Sequence, residues 1–392
     1  MWVLLYIVLI LCSVIVIPYY VPNEWWIPKE AVYLIGGFSV VAVSMMFPRA
    51  NGVFANKWIG AIFLYTILSF GWYFFIPLIF PLNGTKTLWN MWNYMPTLNL
   101  ILGILLIKTL VENTDTNRRW VILSHIICWL SCLFSVVVIC QHFGLDQLFS
   151  NNPIYEIKRS SSGYLIPNSK IVGFLGNSFL AGNFIAITAP LCLIFKELRY
   201  KVIFILACVA IYFVDSTVSM VAFISSILLF LILTKDIKKF FVFIGLLIIA
   251  VFVIHNFNPE YFNMSGRESV WGDFFKRCME RFYTGFGLGS FSNFHYTNKH
   301  GLIYFSAHNE WIQLLHDGGS IMLALVLGYL IDLGRRILRT QPNMLLIGYI
   351  VAFSSWLVIS TAGFPLRIAS LALIGLLYIT CLEVLTKGEV NV

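Results

Sequence analysis

The stretch FSAHNEWIQLLHDGG (305–319) sets His308 and Asn309 where a polar loop runs into an apolar run, SIMLALVLGYLI. An imidazole titrates near neutrality, so His308 is suited to take a proton from a reacting group. Asn309 has two readings, a cap for the helix that follows or a partner that orients the imidazole. Asn309, Gln313 and His316 fall at i, i+4 and i+7, so they share a helical face about 10 Å long. That face lines a groove, or it is the wet side of a short helix ended by Gly318-Gly319; His316 and Asp317 read as structural. Three arginines are candidates to serve with His308: Arg159 beside Lys158, Arg267 in GRESVW (266–271), and Arg367 in FPLRIASLALI (364–374). A guanidinium keeps its charge and presents a planar fork of donors that matches phosphate. One imidazole with several such forks suits a site that holds a phosphorylated ligand and deprotonates a hydroxyl. The bland alternative for Arg267 is a solvated loop charge. Lys276, Arg277 and Arg281, at helical spacing amid Asp273 and Glu280, read as a solvated face or a headgroup anchor.

The elements that must position these residues are set by composition. The chain has 392 residues, 59% hydrophobic and only 11% charged, with a mean hydropathy of +0.84. That leaves too little polar surface to coat a soluble globule and implies a lipid bilayer as solvent. The net charge of +8 does not imply nucleic acid, because the basic residues are scattered among loops and form no basic face.

Runs long enough to span about 30 Å of hydrocarbon occur near 2–21, 31–47, 58–80, 91–111, 120–141, 173–195, 200–214, 216–234, 239–256, 318–335, 343–361 and 366–386. The pair around Asp215 nearly touches. A carboxylate at a membrane boundary is costly unless wet or paired. With the N-terminus in the cytoplasm, the inward loops collect most of the basic residues, from Arg49 through Arg118 and Arg119 to Arg335, Arg336 and Arg339. The short outward loops hold only Lys29, Lys86 and Arg367, as the positive-inside rule requires. The expected fold is an all-α integral membrane protein, one polytopic domain over 1–392. It has about twelve transmembrane helices, both termini cytoplasmic, and long extracytoplasmic loops at 142–172 and 257–307. The second loop is aromatic-rich and is expected to be folded; long loops escape the charge bias and are free to serve function.

Of the eight cysteines, only Cys278 lies in a long polar loop, so no disulfide framework is expected. His125, Cys128 and Cys132 share a helical face, but without a second ligand cluster they read as packing rather than a metal site. Gly285-x-Gly287-x-Gly289 has no βαβ unit around it, so it reads as a turn that lets backbones pass closely, not a nucleotide loop.

Five patches resemble the O-antigen ligase and polymerase superfamily of bacterial polysaccharide assembly, over about 170–370. They are GFLGNSFLAGNFIAITAPLCL (173–193), GRESVW (266–271), GFGLGSF (285–291), AHNEWIQLLHDGGSI (307–321) and FPLRIASLALI (364–374). The resemblance implies an inverting glycosyltransferase at the outer face of the bacterial inner membrane. Its donor would be an undecaprenyl-pyrophosphate-linked glycan, and its acceptor a saccharide: a growing glycan for a polymerase, lipid A core for a ligase. It implies that His308, with Asn309, serves the acceptor hydroxyl, and that Arg267 and Arg367 hold the pyrophosphate. No metal and no cofactor are implied, because the arginines supply the cationic stabilisation. Where many members carry an arginine just inside the helix that begins DSTVSMVA (215–222), this chain has none. Arg159 or Lys158 is then the replacement, and that departure tilts the reading toward a polymerase. Two rivals fit less well. A metal-dependent membrane glycosyltransferase has an acidic first outer loop, whereas here that loop has only Glu24 and Glu30. A flippase places charges at the midplane and often repeats its halves, and neither pattern is visible.

Overall fold

The computed structural model describes residues 61–62, 64–68, 105, 117–145, 158–159, 165–166, 173–175, 178–214, 216–245, 267–287, 290, 296–297, 303–304, 307–363 and 365–386. At 117, 158–159, 165–166, 267–270, 296–297, 303–304, 367 and 369 it describes the backbone alone. The spans expected near 2–21 and 31–47, nearly all of 91–111, and Asp215 lie outside the described residues.

The described chain is helical apart from two minimal antiparallel ladders. Its helices are α1 (Asn117–His142), α2 (Ser178–Thr188), α3 (Leu198–Val214), α4 (Thr217–Leu233), α5 (Arg267–Glu280), α6 (Glu310–Arg339), α7 (Met344–Ala362) and α8 (Ala369–Thr386). The ladders pair β1 (Lys158–Arg159) with β2 (Leu165–Ile166), and β3 (Tyr296–Thr297) with β4 (Ile303–Tyr304). Arg118–His142, α6 and α7 are long and apolar enough to cross a membrane; Ser178–Ile194, α4 and Ser370–Thr386 are apolar but shorter. The two runs flanking residue 215 are separate helices: α3 ends at Val214, and Ser216 caps α4 by accepting from the Ser219 N–H. The α2 ladder gives way at Pro190 to a 3-10 turn, Ala189–Ile194, because proline brings no N–H to the i−4 carbonyl.

The core lies where α1, α2, α7 and α8 meet, around Trp120, Phe134, Phe184, Tyr349 and Tyr378. Phe134 stacks on Phe184 with ring centroids 3.9 Å apart. Polar side chains stitch the apolar faces together. The Tyr378 hydroxyl donates to the Ile187 carbonyl, Ser355 to that of Ala186, and the Trp356 indole to that of Leu371. Between helices in an apolar environment such bonds supply specificity that hydrophobicity alone does not. At the far end of α6, Arg336 forks onto Glu383 of α8 at 2.7 and 2.6 Å, and the Tyr329 hydroxyl donates to the same carboxylate at 2.9 Å. A buried carboxylate is tolerable there because its oxygens are held by these donors.

The short helix expected before the run at 318–335 is present and ends at the glycines. Under the one label α6 (Glu310–Arg339) two helical segments meet across a kink at Gly319, whose backbone is not helical (φ 67°, ψ −175°). The turn 282–287 fills the break. Phe286 and Gly287 donate their N–H groups to the His316 and Asp317 carbonyls at 2.9 and 2.8 Å. Ser320 and Ile321 donate theirs to the Phe282 and Tyr283 carbonyls at 2.7 and 3.3 Å. The Tyr65 hydroxyl supplies Gly318 O at 2.8 Å. Backbone groups released by a helix break cannot turn to lipid, so they must find partners in the protein.

The close approach needs glycine on both sides. A Cβ on Gly285 would lie 2.6 Å from the Asp317 carbonyl oxygen, and one on Gly319 would overlap the Tyr283 carbonyl. Both residues also have positive φ. Gly319→Ala is therefore expected to cost about 2–4 kcal/mol. Gly334→Ala, where a Cβ meets nothing within 4 Å, should leave stability unchanged or raise it by about 0.5–1 kcal/mol. Thermal unfolding of the two purified variants in nanodiscs checks this; equal midpoints would contradict the account of the break.

Candidate active site at the head of α6

The site is built outward from the start of α6. Asn309 is extended (φ −157°, ψ 112°), and its side-chain oxygen accepts from the Trp311 and Ile312 N–H groups at 3.0 and 3.1 Å. These are two of the N–H groups that a helix start leaves without an intrahelical partner. Its amide nitrogen donates to Thr361 O at 2.8 Å, tying the end of α7 to the same point. Of its two sequence readings, the capping one describes these bonds.

His308 sits one residue before the cap with φ 50°, in the left-handed region. Single residues other than glycine seldom adopt it, and the cost, of order 1 kcal/mol, must be met by surrounding contacts. Its neighbours supply such contacts. The Ala307 N–H donates to Gln313 Oε1 at 3.2 Å, and the Ala307 carbonyl accepts from Trp271 Nε1 at 2.8 Å. His308 itself is half-buried.

The same bonds locate two arginines. Arg267 opens α5, one turn before Trp271, so its backbone lies about 6 Å along the helix axis from a residue bonded to Ala307. Arg367 closes the 3-10 turn Pro365–Arg367, and the Leu366 N–H before it donates to Glu310 Oε1 at 2.9 Å. Arg367 thus precedes α8 rather than lying within it. Arg159 lies in the β1–β2 ladder, where its backbone pairs with Leu165.

Below His308 the α6 face turns inward. Gln313, His316 and Asp317 are 5%, 0% and 3% exposed, so this face is neither wet nor open. Gln313 Nε2 donates to Asp317 Oδ2 at 3.3 Å, and Asp317 Oδ1 accepts from Ser290 Oγ at 3.2 Å and from His316 Nδ1 at 2.8 Å. Phe286 stacks on the His316 ring at 5.0 Å. The cations later in α5 face outward: Lys276 pairs with Asp273 and Arg277 with Glu280, each at 3.7 Å on exposed side chains. Cys278 is buried on the inner side of α5; burial first, and the Asp317 carboxylate second, push its thiol up to about 11. His125 stacks on Phe195 and hydrogen-bonds Tyr200, a packing arrangement.

An apolar cavity with about 90 Å³ of water-sized space opens beside this point, between α6, α7 and α8. Trp311, Leu314, Tyr329, Phe353 and Trp356 line it, with Glu310 and Leu366 at one end. Among the residues that build the site, Trp271 is the one whose bond to the head of α6 has no signal in the sequence beyond its place in GRESVW. The signals the sequence offers are the paired glycines at 285/287 and 318/319, and an indole one turn from Arg267.

No protein-family model matches the chain, and a search of the curated proteins finds no match.

Two outcomes follow from this geometry. Asn309→Ala removes the cap and should cost about 1–2 kcal/mol locally. Hydrogen exchange at Trp311 and Ile312 should then speed up by about ten-fold, and unchanged exchange would contradict the capping role. Cys278 should alkylate roughly a hundred-fold more slowly at pH 8.5 in the folded protein than in the denatured chain, because the thiolate is the nucleophile. Its rate should climb as pH approaches 11 and should rise in Asp317→Asn, as mass spectrometry of iodoacetamide-treated protein can read.

Proposed function

We propose that this chain is a membrane glycosyltransferase that moves a glycan from undecaprenyl pyrophosphate to a saccharide hydroxyl, in the assembly of a bacterial surface polysaccharide. In this reading the chain crosses the inner membrane about twelve times with both termini in the cytoplasm, and the head of α6 faces the periplasm. No nucleotide donor is available there, so the donor must carry its own leaving group, as a polyprenyl diphosphate does. His308 takes the proton of the acceptor hydroxyl as its oxygen bonds to the anomeric carbon. The bond from that carbon to the phosphate oxygen breaks with inversion, and undecaprenyl pyrophosphate leaves with the electron pair. Arg267 and Arg367 neutralise the charge that develops on the diphosphate. Arg159 is the further candidate for that task.

The observation that carries the reading is the double tether at the head of α6. Trp271, one turn from Arg267, bonds the carbonyl just before His308, and Glu310 bonds the N–H just before Arg367. Backbone near each arginine is thereby tied to the residues flanking His308, and in this reading the apolar cavity beside Glu310 takes the hydrocarbon of the carrier. The left-handed backbone at His308 adds support, since strain of this kind collects at functional residues.

The test is a His308→Ala allele in place of the chromosomal copy, with surface polysaccharide separated by size. Short glycans on intact core are expected if the acceptor is a growing chain, the favoured case. Free polymer with bare core is expected if the acceptor is lipid A core. Wild-type glycan in a strain making normal amounts of the variant would remove His308 from the chemistry.

A further inference from the structure

The catalytic reading leaves Gln313 and the buried Asp317–His316–Ser290 group without a task. Their bonds form a directed chain that ends at the residue before His308. A carboxylate can only accept, so the Gln313 amide must turn its NH2 toward Asp317 Oδ2, as it does at 3.3 Å. That choice fixes the other end of the amide: Oε1 faces the Ala307 N–H at 3.2 Å. Asp317 is held in turn by Ser290 and His316 on its other oxygen, Oδ1. Trp271 fixes the Ala307 carbonyl, and the cap at Asn309 fixes the chain on the far side of His308. The left-handed turn at His308 is therefore gripped from both sides, and on one side the grip is set by a buried carboxyl group two helical turns away along α6.

We propose that Gln313 and Asp317 are positioning residues for His308: the Asp317 carboxylate orients the Gln313 amide, and the amide holds the backbone that aims the imidazole. The proposal rests on the reading of His308 as the base, but the conformation it concerns can be measured without activity. Nothing in the chain of bonds requires which member carries the charge, only that one is a carboxylate and the other an amide. Gln313→Glu sets two carboxylates face to face in a buried place. Adding Asp317→Asn restores the pair in reversed sense. The carboxylate now at position 313 would accept from the Ala307 N–H. The amide now at position 317 would donate to that carboxylate, while its oxygen still accepts from Ser290 and His316.

The experiment uses the full chain in nanodiscs, labelled with 13C,15N-histidine, the His308 signal being the one missing from His308→Ala. In Gln313→Glu that signal is expected to move by more than a linewidth, and surface glycan in the expressing strain to fall about ten-fold or more. The double variant should return the signal to its wild-type position and recover at least about half of the glycan. An unmoved His308 signal in folded Gln313→Glu, or a shift that the reversed pair does not correct, overturns the proposal. If Gln313→Glu does not fold, Gln313→Met, which lacks both hydrogen bonds, is expected to move the same signal; an unmoved signal there also overturns it. Wild-type glycan in His308→Ala would instead sink the catalytic reading alone, leaving the His308 signal to judge the positioning.

Discussion

The break in α6 at Gly319, filled by the turn 282–287, is the constraint on which the remaining geometry depends. An apolar helix that is interrupted exposes carbonyl and N–H groups on both sides of the gap, and lipid can satisfy neither. Here the turn supplies both kinds of partner, donors from Phe286 and Gly287 and acceptors from Phe282 and Tyr283. The same four hydrogen bonds that heal the helix anchor the segment following α5. Since α5 begins at Arg267 and carries Trp271, healing the break also decides where those two residues stand relative to the head of α6. Glycine at 285 and at 319 is the condition for that approach, because a side-chain carbon on either would meet backbone that has nowhere to go.

Either side of the break, α6 does different work. Toward Arg339 it is held by an ion pair, Arg336 on Glu383, with the Tyr329 hydroxyl completing the carboxylate. Toward Glu310 it is held by hydrogen bonds of neutral groups and two carboxylates, Asp317 and Glu310. Removing one member of either buried group leaves the others unsatisfied, which is costlier than the net worth of any single bond. Both ends of α6 are thus fixed by polar bonds as well as by buried apolar residues such as Leu314 and Leu333, and the apolar cavity lies between them.

The helices were legible because hydropathy needs only a count of apolar residues. The expected runs at 120–141, 216–234 and 343–361 correspond to Asn117–His142, Thr217–Leu233 and Met344–Ala362. The cap at Asn309 was legible for the same local reason, as was the close passage at Gly285. The first turns of α6 look wet in sequence because they carry Gln313, His316 and Asp317. They are buried because each finds a partner that hydropathy cannot see: Ala307 for Gln313, Ser290 for Asp317. The end of the first segment at Gly318-Gly319 was legible from the glycines, whereas the partners that fill the kink were hidden, since they come from the turn 282–287 earlier in the chain. Trp271 had no visible task in sequence, because its bond to Ala307 O spans a loop whose path local pattern does not define. The reading of Arg267 and Arg367 came from residue type and resemblance; the structure adds hydrogen bonds from nearby residues, the Trp271 indole one turn after Arg267 and the Leu366 N–H just before Arg367.

The most direct measurement of the central claim is a cryo-EM map of the full chain in nanodiscs with a polyprenyl pyrophosphate bound. The account predicts diphosphate density between the guanidinium groups of Arg267 and Arg367, the His308 ring facing it, and the hydrocarbon running into the cavity beside Trp311. Diphosphate density on the other side of the membrane, or bound by cations remote from the head of α6, would contradict it.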